Sequence, residues 1–148
     1  DILISNAGVG GVGKAKSCLI THKPVKKSCT GDVFTIRLKI INPYYFYCFI
    51  KTKIGKDQIF QIKSGVGTEN INAEETLSML IPILPSNIQS HIESEYKKMS
   101  AYHDKAMKAK AEGDGGAYKK NIEKAETMLK DLIAKTEAVM SGEREDVV

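Results

Sequence analysis

Cysteine and histidine are scarce in this sequence, and long apolar runs are missing altogether. The three cysteines, Cys18, Cys29 and Cys48, are odd in number, widely spaced and never part of a C-x-x-C pair. That pattern argues against a disulfide framework and predicts reduced, partly buried thiols in a cytoplasmic protein. The three histidines, His22, His91 and His103, lie far apart with no metal-ligand spacing, so no metal site is expected. No apolar stretch approaches the roughly 20 residues that cross a bilayer, and no membrane association is expected. No charged-then-apolar leader with a small-residue cleavage site opens the chain, so the expected setting is the cytoplasm. The first residue is Asp1 and Ile2–Ser5 already reads as a strand, so the sequence is expected to enter partway through a larger domain.

What is present is a modest apolar content and an uneven charge. With 148 residues, 42% of them hydrophobic, the chain suffices for one domain, or for one domain and an appendage. Its net charge is +4. Residues 1–85 hold eleven Lys/Arg against six Asp/Glu, a balance of +5, whereas residues 86–148 hold eleven against twelve, a balance of −1. A phosphate backbone favours a surface like that of the first part. Ordinary solubilising lysines give the same count.

Periodicity divides the chain at Pro85. Before it, Ile2–Ser5 and residues 17–21 read as strands, separated by Gly-rich residues 6–13, and residues 22–30 form a basic loop with Pro24 and a Lys26–Lys27 pair. Residues 32–41 alternate, with Phe34, Ile36, Leu38 and Ile40 on the expected core face of a strand. Asn42 and Pro43 suit the cap and first position of a helix that carries Phe46, Phe49, Ile50 and Lys53 and stops at Gly55. Residues 57–62 are expected to be a short strand and residues 64–68 a flexible loop. The run Asn72-Ala73-Glu74-Glu75 reads as a capping box before a short helix, and residues 79–84, interrupted by Pro82, as an edge strand or an extended connector.

After Pro85 the period changes to seven. Ser86 and Gln89 form a second capping-box pattern, with Ser86 as the cap. Ile92, Met99 and Ala106 recur every seven residues, interleaved with Tyr102 and Ala109; Gly113-Asp114-Gly115-Gly116 breaks the pattern. Beyond the break, Ile122, Leu129 and Thr136 repeat at seven, as do Ala125, Leu132 and Val139. These coiled-coil-like stripes predict helices at about 87–112 and 116–141, joined as an antiparallel hairpin. A single broken helix is the alternative. Residues 143–148 are expected to fray. The fold class is therefore α+β: a small mixed, β-rich domain over residues 1–85, then a helical hairpin over residues 86–148.

Three motifs suggest chemistry that their surroundings do not support. Gly8-Val9-Gly10-Gly11-Val12-Gly13 matches the dinucleotide fingerprint, with Asp32 nineteen residues beyond Gly13. That fingerprint needs a helix opening on its third glycine to hold the pyrophosphate, and residues 14–21 are short, end apolar and run towards Pro24. The stretch 8–14 also has P-loop spacing, but Ala15 stands where Ser or Thr must ligate magnesium. Asn42-Pro43-Tyr44-Tyr45 resembles the N-P-P-Y of adenine methyltransferases, which hold a flipped base, but Tyr44 replaces the second proline and no cofactor-binding α/β unit precedes it. No cofactor is expected, and nothing in the residues compels an enzyme.

Four segments in order carry a family resemblance: "DILISNAGVGGVGKA", a strand entering a Gly-rich turn; "GDVFTIRLKIINPYYFYCFI", a strand and helix; "SGVGTENIN"; and "LIPILPSNIQSHI", which opens a long helix with Pro85, Gln89 and Ile92 at its head. Together they cover nearly the whole chain. They resemble the second half of a repeat in the specificity subunit of type I restriction-modification systems, a target-recognition domain with its conserved helical region. Related recognition domains also occur fused to adenine DNA methyltransferases. Two features depart from the family pattern. The first half of a typical recognition domain is missing, and residues 113–116 interrupt what is often one long helix.

The resemblance implies a non-catalytic part that reads double-stranded DNA and directs methyltransferase (modification) and restriction subunits to a target site. On that reading the expected DNA-binding residues are Lys14, Lys16, Lys63, Ser64, Thr68 and Asn70: lysines for phosphates, hydroxyls and the amide for phosphates or base edges. Residues 86–148 become a spacer and docking arm. Its expected seam is Ile92, Met99, Ile122, Leu129, Leu132 and Val139, facing the other helix, another copy or the modification subunit. The competing class is a protein-interaction module without DNA contact, in which the hairpin serves oligomerisation.

Overall fold

The computed structural model describes residues 1–5, 16–21, 33–63 and 70–148. The fold is α+β. Among the described residues it has strands β1 (Ile2–Ser5), β2 (Ser17–Leu19) and β3 (Val33–Ile36), and helices α1 (Pro43–Phe49), α2 (Lys53–Ile62), α3 (Ala73–Leu77), α4 (Ser86–Ala111) and α5 (Gly115–Met140). They form two compact units, Asp1–Ile83 and Leu84–Val148.

In the first unit β1 lies between β2 and β3 and pairs antiparallel with both. Ile2 stands opposite Leu19 and Ile36, and Ile4 opposite Ser17 and Phe34. Because side chains alternate along a strand, Ile2 and Ile4 share one face, and both are fully buried. The strand expected over residues 32–41 is shorter than its alternation suggests. It ends at Ile36, where β1 offers no paired residue beyond Ile2. Arg37 instead makes a two-pronged ion pair with Asp1, with Nε–Oδ1 and Nη2–Oδ2 both 2.9 Å. Past that point the alternation no longer decides burial: Ile40 is 90% exposed.

Asn42 and Pro43 open α1 as their chemistry predicts, with Asn42 Oδ1 accepting the Tyr44 N–H at 2.9 Å and Pro43 in the first turn. Tyr45, Phe46, Cys48 and Phe49 bury the helix, which packs against β2. The helix does not run to Gly55, and residues 57–62 are not a strand. The buried hydroxyl of Thr52 donates to the Phe49 carbonyl at 2.6 Å and accepts the Gly55 N–H at 3.2 Å, ending one helix and capping the next. Gly55 and Ile59, four residues apart, then line the buried face of α2. Gly55 is a point of close approach: a Cβ there would meet the Phe49 carbonyl oxygen and lie 2.8 Å from the Ile50 Cα.

Asn72 caps α3 through the Glu75 N–H at 2.7 Å. Residues 79–84 are a connector rather than a strand. The Gln58 amide does there what a neighbouring strand would do: Nε2 donates to the Leu80 carbonyl at 2.8 Å while Oε1 accepts the Leu80 N–H at 2.7 Å. The Tyr45 hydroxyl donates to the Pro82 carbonyl.

The second unit is a hairpin of two 26-residue helices, each about 39 Å long at 1.5 Å per residue. Ser86 is not its cap. Pro85 holds the cap position with no side-chain bond, and Ser86 is already helical. Gln89 accordingly does not close a capping box; its buried amide donates to the Leu84 carbonyl at 2.7 Å and ties the entering strand of chain to the first turn. The break expected at residues 113–116 is a turn over residues 112–114 between packed helices, and Gly115 and Gly116 already belong to α5. Gly113 takes φ +77°, which glycine adopts without Cβ strain, and Asp114 Oδ1 accepts the Ala117 N–H at 2.8 Å.

Residues 143–148 are docked rather than frayed. His91 Nδ1 lies 2.6 Å from Asp146 Oδ2, Arg144 Nε donates to the Asp146 carbonyl at 2.9 Å, and Val147 is fully buried. The burial of Val147 and the His91–Asp146 pair beside it oppose the entropy of ordering this short segment.

Candidate nucleic-acid interface

On the first unit, a concavity of about 390 Å³ is lined by Leu3, Lys16, Ser17, Cys18, Val33 and Lys51. Lys16 is exposed at the head of β2. Lys51 is half-buried just after α1, where its backbone N–H donates to the Cys48 carbonyl at 3.0 Å. The Lys51 ammonium lies 5.4 Å from the centroid of the Tyr47 ring, within range of a cation–π contact. Burial first, and Lys56 second, hold the Lys51 pKa below the ordinary lysine value; Cys18 opposes them. Burial, followed by Cys18 and Cys48, pushes the Tyr47 hydroxyl up to about 12, so that ring stays neutral.

Of the six residues expected to touch DNA, Lys16, Lys63 and Asn70 lie among the described residues, whereas Lys14, Ser64 and Thr68 lie outside them. Lys63 caps the C-terminus of α2, with its ammonium 5.5 Å from the Phe60 ring centroid, and Asn70 is exposed. Neither lines the concavity that holds Lys16. Lys51, which does, is absent from the expected set. The Gly-rich turn that singles out Lys16 gives no sign of a lysine following a buried helix, and thirty-five residues separate the two in sequence. Cys18 is exposed and Cys48 buried, and neither is in a disulfide. Among the described residues no group of three His, Cys, Asp or Glu side chains could hold a metal ion, and no helix is long and apolar enough to cross a membrane.

The second unit uses its seam internally. Ile92, Met99, Leu132 and Val139 are buried between α4 and α5. Ala106, Ala109 and Ala125, also buried, let the helices approach closely. Ile122 and Leu129 are only half-buried and flank that seam. Thr136, fully buried, satisfies its hydroxyl on the Leu132 carbonyl at 2.8 Å.

The docked tail should respond to acid. Burial alone would raise the Asp146 pKa, but the His91 hydrogen bond, the His91 charge and the backbone N–H groups of Val147 and Val148 hold it below the ordinary carboxylate value. A carboxylate depressed in the folded state contributes stability above its unfolded pKa of about 3.9, and that contribution is lost as pH falls through the folded value. The Val147 methyl resonances should therefore move towards their free-chain positions below about pH 4. Asp146→Asn should weaken docking at neutral pH and remove that acid step; an unchanged titration in the variant would assign it to another group.

No protein-family model, curated protein or solved structure matches the chain.

Proposed function

We propose that the chain is part of a DNA-recognition subunit of the type I restriction-modification kind, or of the related recognition domain of an adenine DNA methyltransferase. It would recognise a specific site in double-stranded DNA without catalysing a reaction. The carrying observation is that the charge asymmetry follows the division into units. The eleven Lys/Arg and six Asp/Glu of residues 1–85 all fall within the Asp1–Ile83 unit, because residues 84 and 85 are uncharged, and the helical unit has a balance of −1. A basic α+β unit followed in sequence by a near-neutral helical hairpin fits one part for a phosphate backbone and another for protein. The four ordered segment resemblances support the same division. On this reading the hairpin docks the modification subunit and, through it, the restriction subunit, and the protein works in the cytoplasm.

The experiment is binding of the full chain to duplex DNA across a salt series. If Lys14, Lys16 and Lys63 each neutralise one phosphate, affinity should fall roughly forty-fold between about 50 and 200 mM salt. Changing the three to Ala should flatten that dependence. Salt-insensitive binding, the same in parent and triple variant, would remove the electrostatic basis of the proposal. Self-association through the hairpin, with no DNA binding in the presence of a modification subunit, would favour the interaction-module reading instead.

A further inference from the structure

We propose that the concavity between Lys16 and Lys51 is a phosphate-binding site, with Lys51 as its principal cation. This inference rests on the DNA-binding reading only for the source of the phosphate. Two lysines line one open concavity of about 390 Å³. Among the described residues neither is paired with a carboxylate: Asp1 is engaged by Arg37 and Asp57 by Lys53. Lys56 adds a third positive charge close enough to disfavour the charged form of Lys51. Like charges held near one another repel, and an anion placed between Lys16 and Lys51 converts that repulsion into attraction.

The character of the hollow narrows the choice of anion. Leu3 and Val33 supply apolar wall on one side, which lowers the local dielectric and favours a charge interaction there. Lys51 is held in place by half-burial and by the Tyr47 ring, so it loses less side-chain freedom on binding than an exposed lysine would. Lys16, exposed at the head of β2, lines the same hollow. A compact anion carrying several acceptor oxygens, met by two point-charge donors, is the chemistry of a phosphoryl group. The DNA backbone and free phosphate both present it.

The test uses the full chain and two probes, a duplex oligonucleotide and inorganic phosphate, with Lys51→Gln, Lys51→Arg and Lys16→Gln as variants. Lys51→Gln should weaken duplex binding about ten-fold and lower the salt slope by about one, while Lys51→Arg should restore the slope. Should Lys51→Gln fail to fold, the exposed Lys16→Gln carries the same expectation. Inorganic phosphate should shift the Lys51 side-chain ammonium resonance of the parent, and should do so less in Lys16→Gln. Duplex binding that keeps its affinity and slope in Lys51→Gln and Lys16→Gln, with no phosphate-induced shift, would overturn this site and Lys16 as a phosphate contact, while DNA binding itself would stand on Lys14 and Lys63. A phosphate-induced shift at Lys51 without any duplex binding would support the site with free phosphate as its source, and would count against the DNA-binding reading.

Discussion

Leu132→Asp should unfold the helical unit. Leu132 is 3% exposed in the seam between α4 and α5, one heptad from Ala125 and from Val139, both buried. Removing its side chain would cost about 2–5 kcal/mol from lost burial and the cavity left behind. A carboxylate in its place adds an unpaired charge that must stay desolvated, take up a proton or open the interface, and an uncompensated buried charge costs about 3–5 kcal/mol. Against a total domain stability of about 5–15 kcal/mol, that suffices to melt the hairpin. Helical circular dichroism should fall by roughly the share that α4 and α5 contribute, with the remaining helices intact. Leu129→Asp, at a half-buried flank, should cost much less. Equal effects at the two positions, or none at either, would mean that the seam runs along a different stripe.

Gly55→Ala should destabilise the α+β unit, against the usual sign. In an ordinary helix interior alanine is favoured over glycine by about 0.5–1 kcal/mol. Here the added Cβ would collide with the Phe49 carbonyl oxygen and stand 2.8 Å from the Ile50 Cα. Both are backbone atoms of fully buried residues, so neither can swing aside as a flexible side chain would. The expected loss is about 2–3 kcal/mol, typical of forced overpacking. The chain has no tryptophan, so denaturant unfolding followed by tyrosine near-ultraviolet dichroism is the suitable readout. A gain in stability would show that the turn between α1 and α2 relaxes freely.

The two variants mark where sequence reasoning succeeds and where it does not. The seam around Leu132 is legible because a helix repeats its face every few residues, so Ile92, Met99 and Ala106 reveal the buried stripe without any knowledge of a partner. Caps are legible for the same reason: Asn42 and Asn72 reach backbone N–H groups two and three residues on. The reading fails where one local signal can serve two structures. Gly55 suits a helix end, yet it sits within α2 because the chain before it passes too close for a side chain. Ser86 suits a cap, yet Pro85 takes that position and Gln89 satisfies Leu84 instead. Ile40 alternates with polar residues like a core position, but pairing with β1 has already stopped at Ile36.

The sequence by itself determined the α+β class, the change of character at Pro85, the two long helices with a turn between them, and the excess of positive charge before that boundary. Each depends on composition or on spacings of a few residues, and local physics fixes those. Only the tertiary structure decided that Lys16 and Lys51 meet around one hollow, that Gln58 pairs with Leu80, and that Val147 is buried with Asp146 held by His91. Those contacts join positions 35, 22 and 55 residues apart. No periodicity encodes such distances, because they arise when separate elements bury their apolar faces and bring the remaining side chains with them.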